Sequence, residues 1–145
     1  MNEHNLKINV GIFLILSHFT VLILVMIVSA IGGMDFAETT TSVALITPMF
    51  AIYTTAIIRF IIDHRGAQDV KSPLVNKAYI FISFFIPALF VSALIAIVLL
   101  RGYRIWIRDP EMYKQLLGIT ETIFGVYVGL ILRDMFEMKK RPQRT

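Results

Sequence analysis

Apolar positions along this chain come in four long blocks rather than in short alternations. Ile8 to Met34, Thr39 to Ile58 and Ala78 to Leu100 hold no formal charge, and Gln115 to Leu132 holds only Glu121. A helix rising 1.5 Å per residue needs about 17 to 25 such residues to cross ~30 Å of hydrocarbon, and each block supplies them. The pattern predicts four transmembrane helices, approximately 8–32, 41–62, 79–100 and 115–133, in a single membrane domain spanning 1–145. The connecting segments are too short to bury a soluble core. The first block is about twice as long as the apolar region of a signal peptide, so it is expected to remain as a span. A three-span arrangement, with the fourth block lying on the inner surface, is disfavoured because "LLGITETIFGVYVGLIL" lacks the strongly polar face that an interfacial helix needs.

Within the blocks, helical periodicity sorts the polar and small residues into stripes. In the first, Gly11, His18 and Ser29 fall near one line, and in the second Thr40, Thr47, Ala51 and Thr54 do the same. These stripes are expected to face other helices, with bends at Pro48 in the second span and Pro87 in the third. The third span repeats Ala88, Ser92 and Ala96 at four-residue spacing, which lets helices approach closely. The fourth has a marked start: Asp109 can cap, Pro110 suits the first helical position, and Glu111 favours the positive end of the dipole. Along it Gly118, Glu121, Thr122, Gly125 and Gly129 share an arc of about 100°. Gly125 and Gly129 form a GxxxG step, so this arc is expected to pack against another helix.

Composition agrees with the pattern: 57% of the residues are hydrophobic, 17% are charged, and the mean hydropathy is +0.73. The net charge of +4 reports orientation before it suggests any partner, and no direct nucleic-acid contact is expected. With both termini cytoplasmic, Lys7, Arg59, Arg65, Lys71, Lys77, Arg133, Lys139, Lys140, Arg141 and Arg144 lie inside. Only Arg101, Arg104, Arg108 and Lys114 lie outside, and the loop "GGMDFAETTT" carries acidic charge alone. This bias is the positive-inside pattern of a membrane protein, and an inner (plasma) membrane is the expected location. The inner basic residues are expected to meet anionic lipid headgroups, at about 1 kcal/mol each, and can also dock an acidic soluble cytosolic partner. Arg101, Arg104 and Arg108 form the external basic group, and Tyr79, Tyr103, Trp106 and Tyr113 are spaced as interfacial anchors.

The chemistry centres on Glu121. An unpaired carboxylate about five residues inside a span is costly, so it must be neutral, paired with a cation, or facing water. Arg101, Arg104 and Arg108 are candidate partners, because long basic side chains can reach inward from the interface. His18 is a candidate relay partner, and Thr122 completes the intramembrane polar group. The chain has no Cys, which excludes thiolate chemistry and cysteine metal sites. It contains no G-x-S-x-G, H-E-x-x-H, Walker or dinucleotide signature. An enzyme, a cofactor and a metal site are therefore not expected.

Size and four-pass layout resemble several small bacterial membrane families, including multidrug-exporter subunits, polyprenol-linked sugar translocases, fluoride channels and membrane subunits of anti-phage systems. The exporters are similar in using a membrane glutamate, but theirs belongs to the first span, where this chain has His18. The expected function is a non-enzymatic homo-oligomer, a pore or membrane sensor, relaying to a soluble partner in an anti-phage or stress setting. The alternative is a compact proton-coupled transporter built on Glu121.

Overall fold

The computed structural model describes residues 3–63 and 75–136, with side chains for 3–62 and 75–130. The described chain is all helical: α1 (Glu3–Ala30), α2 (Phe36–Asp63), α3 (Lys77–Gly102) and α4 (Pro110–Phe136). Three of these, α1, α2 and α3, are long and apolar enough to cross a membrane.

Each helix starts before its apolar block, and α2, α3 and α4 also run past the end of theirs; local bonds stabilise the starts. Lys7 pairs with Glu3 one turn earlier at 2.8 Å, extending α1. Asp35 and Glu38 form a reciprocal capping box before α2: the Glu38 N–H donates to Asp35 Oδ1 at 2.7 Å, and the Asp35 N–H donates to Glu38 Oε2 at 3.0 Å. Asn76 accepts from the Ala78 N–H at the start of α3, and Asp109 accepts from the Glu111 N–H at the start of α4. Both α2 and α3 run through their prolines, Pro48 and Pro87, without interruption.

The ends of α1 and α3 close with the same hydrogen-bond pattern. Gly32 and Gly33 donate back to Ser29 and Val28, and Arg104 and Ile105 donate back to Arg101 and Leu100. The second residue after each helix takes a left-handed conformation, Gly32 at φ 80 and Arg104 at φ 52. Glycine does this freely, whereas a residue with a Cβ loses about 1–2 kcal/mol. The two turns meet: a Cβ on Gly33 would lie 2.9 Å from the Gly102 carbonyl oxygen, so only glycine allows this approach.

Contacts run between α1 and α2, α1 and α3, α2 and α4, and α3 and α4. The bundle is thus a square with α1 and α4 on one diagonal. Successive helices alternate in direction, so the α1–α2 and α3–α4 loops share one end, the loop end, and the amino terminus lies at the other.

The inward faces form two apolar clusters. One, toward the loop end, includes Val21, Val25, Ile46, Leu94, Val98 and Leu117; the other includes Leu6, Val10, Leu14, Ile57, Phe124 and Val128. Around the outside, all four helices expose large apolar residues, such as Leu16, Ile52, Phe81 and Val126. Lipid tails are as apolar as leucine, so in a membrane such a bundle is held by close packing and internal polar bonds rather than by the hydrophobic effect.

Candidate functional site: polar groups in the bundle core

Two groups of polar side chains point inward. The first lies at the loop end. Its carboxylate, Glu38, already has Oε2 engaged by the capping box, so Oε1 is left for Arg101, whose Nε donates to it at 2.7 Å and whose Nη2 makes a second contact. Nη1 of Arg101 donates to the Arg108 carbonyl at 2.6 Å and, at a longer 3.4 Å, to that of Ile107. One turn deeper, the Ser42 hydroxyl donates to the Glu38 carbonyl at 2.7 Å, so the 2.6 Å bond it shares with Tyr113 must use the phenol proton. Glu38, Ser42, Arg101 and Tyr113 are all buried, and each has partners.

The second group sits deeper, and each of its members has a buried polar atom without a partner among the described residues. Tyr113 to Glu121 is eight residues on α4, about 12 Å along the axis, with Leu117 buried between them. Glu121 is only 3% exposed, and neither carboxylate oxygen has a hydrogen-bond partner among the described residues. Phe124, one turn on, stacks against the His18 ring with centroids 5.0 Å apart and planes 14° from parallel. Tyr53 meets that ring edge-on at 4.9 Å and lies close enough to Glu121 for an electrostatic interaction. His18 Nε2 and the Tyr53 and Thr54 hydroxyls are also buried without partners. This layer lies between the two apolar clusters: on α1, Leu14 belongs to one, Val21 to the other, and His18 stands between them; on α4, Glu121 stands likewise between Leu117 and Phe124.

Several sequence expectations take a different form here. Arg101, grouped with Arg104 and Arg108 as external cations reaching for Glu121, is 6% exposed and committed to Glu38, while Arg104 and Arg108 are exposed. The α4 arc divides. Glu121 and Gly125 turn inward, Gly125 closely enough that a Cβ would clash with the Met49 side chain. Thr122 and Gly129 turn outward, and half-buried Gly118 has open space over its Cα; the Thr122 hydroxyl bonds its own helix at the Gly118 carbonyl. Lys114, Gln115, Gly118, Ile119, Thr122 and Ile123 line a shallow groove there.

Most of the α2 stripe is rotated relative to expectation: Thr40, Thr47 and Ala51 are exposed, only Thr54 keeps its hydroxyl buried, and Glu38, Ser42, Ile46, Tyr53 and Ile57 face in. A threonine such as Thr40 can face outward because its hydroxyl bonds the carbonyl four residues back, at 2.8 Å from Phe36. On α3, Ser92 and Ala96 are exposed, with Ala88 half-buried beside them.

Glu38 and Tyr53 were not singled out by sequence reasoning. The D-x-x-E spacing of Asp35 and Glu38 carries the capping-box signal, and Tyr53 shares the helical face of Ile46 and Ile57. Of the basic residues expected on the inner side, Lys7 lies over the Phe60 ring, 5.8 Å from its centroid, and Arg59 and Lys77 are exposed. Arg65, Lys71, Lys139, Lys140 and Arg141, and the side chain of Arg133, lie outside the described residues.

No family model, no curated protein and no solved structure matches this chain.

Proposed function

We propose that this chain is a non-enzymatic integral membrane protein that crosses a bacterial inner membrane four times, with both termini inside, and assembles with copies of itself as a pore or sensor subunit. The fourth crossing is supported by the outward face of α4, where Ile119, Ile123, Val126 and Leu130 are each more than half exposed, as on the three more apolar helices. The orientation is supported by the basic residues Lys7, Arg59 and Lys77 at the end opposite the acidic first loop. Those residues would hold anionic lipid or a soluble partner, as an anti-phage or stress-response component would require.

The observation that carries the assembly reading is the outward placement of small residues on two neighbouring helices, with Thr122 and Gly129 on α4 and Ser92 and Ala96 on α3. Small residues let helices of neighbouring copies approach, and such a stripe gains little from facing lipid. Since the chain contains no cysteine, single cysteines are clean probes. Oxidation in membranes should give a covalent dimer from Thr122→Cys and none from Leu16→Cys on the opposite helix. A monomeric mass by native mass spectrometry, with no cross-link at Thr122→Cys, would remove the assembly reading.

A second reading, a compact proton-coupled transporter, is favoured by one separate observation: Glu121 is sealed within the core of its own chain. A carboxylate closed off by apolar clusters on both sides suits exchange that opens to one side at a time.

A further inference from the structure

The polar layer at the middle of the bundle is unbalanced in a specific way. His18 Nδ1 lies 3.2 Å from the Leu14 carbonyl oxygen, which can only accept, so Nδ1 carries a ring proton; Nε2 is buried with no acceptor to hold a second one, and in the neutral ring it is an acceptor. Glu121, if ionised, adds two oxygens that only accept. Against these, the layer offers as donors the hydroxyls of Tyr53 and Thr54, neither of which has a partner among the described residues. A buried acceptor without a donor is costly in hydrocarbon, and this one is 3% exposed.

We propose that Glu121, His18 and Tyr53 form a binding site for one proton exchanged with the surrounding medium. A hydronium ion of the medium gives up the proton, one of its O–H bonds breaking to leave water, and a Glu121 oxygen forms one O–H bond with it; the carboxylate becomes a neutral carboxyl that supplies the missing donor. Release returns the proton to water and restores the charge.

The groups facing the layer support a proton over other cations. From α1 it is faced by His18, from α2 by Tyr53, and from α3 by apolar residues such as Phe90, which packs on Phe124 at 5.3 Å. At the loop end Arg101 is paired with Glu38 and Lys114 with Glu111, while Arg104 and Arg108 are exposed. His4 is at the opposite end, against Phe60. Among the described residues, therefore, neither Glu121 oxygen has a cationic partner. A metal ion needs several hard ligands, and the described residues contain no cluster of three His, Cys, Asp or Glu able to hold one.

The site rests on the membrane reading, whose failure would show separately, as wild-type protein that does not insert into lipid vesicles. With inserted protein, infrared difference spectra recorded from acidic to alkaline pH should contain one carboxyl band that titrates, is lost in Glu121→Gln, and moves in Glu121→Asp. The Asp variant keeps the test decisive if the Gln variant fails to fold. Identical titrating bands in wild type and both variants would overturn the proposal. So would a Glu121 band that responds to sodium at constant pH and not to pH, since the site would then belong to a metal cation.

Discussion

Arg101→Met is expected to destabilise the bundle by about 3–5 kcal/mol, the cost typical of leaving one member of a buried ion pair alone. The Met side chain keeps most of the volume and removes the charge. Glu38, 3% exposed, would then hold a negative charge with only the Asp35 N–H to balance it, and the Ile107 and Arg108 carbonyls would lose their donor. Because Arg101 joins the end of α3 to the start of α2 and to the loop before α4, the loss falls on three elements together. Thermal unfolding in detergent measures it. The double variant Arg101→Met with Glu38→Gln should recover much of the loss, since Gln still serves in the capping box and carries no charge. A loss under about 1 kcal/mol, the range of exposed pairs, would mean that water reaches this end of the bundle.

Glu121→Leu should do the opposite and stabilise the protein, by about 1–3 kcal/mol, the penalty attached to a buried polar group with no partner. Leucine extends the apolar contacts of Leu117 and Phe124 across the gap between the two clusters. Stability gained by removing a group is the expected signature of a residue kept for function rather than for folding. The same thermal measurement reads it. A clear loss of stability would show that Glu121 is held by bonds that make it structural. The two variants therefore separate the two polar groups of the core: one holds the bundle together, and the other is tolerated by it.

The helices were legible in the sequence, and the direction each one faces was not. Long uncharged blocks define helices by length alone, and local signals such as Asp109-Pro110-Glu111 mark their starts. In a soluble protein the apolar face points inward, but a helix surrounded by lipid is apolar all round, so the pattern loses its sense of direction. Threonines on α2 read as a packing stripe because they are polar, yet Thr40 satisfies its hydroxyl on its own helix and turns outward. The α4 arc was drawn correctly as an arc, but at about 100° it is wide enough to straddle the boundary between core and surface, leaving Gly125 on one side and Thr122 and Gly129 on the other. Glu121 could be recognised from its setting as a group that avoids lipid, but whether it meets protein or water could not. The pairing of Arg101 with Glu38 could not, because 63 residues separate them and Arg101 stands among other basic residues that belong to the loop.

The most direct test is a spin-label accessibility scan along α4 in lipid bilayers, one cysteine at a time from residue 117 to 130. Labels at Ile119, Ile123, Val126 and Leu130 should collide with oxygen dissolved in the lipid, while labels at Leu117, Glu121, Phe124 and Val128 should be shielded from both oxygen and water-soluble relaxants. That alternation would place α4 in the membrane with the carboxylate inside its own bundle. Free access of the water-soluble relaxant to the Ile119, Ile123 and Val126 labels would contradict the fourth crossing, and oxygen access at position 121 equal to that at 123 would contradict the buried layer.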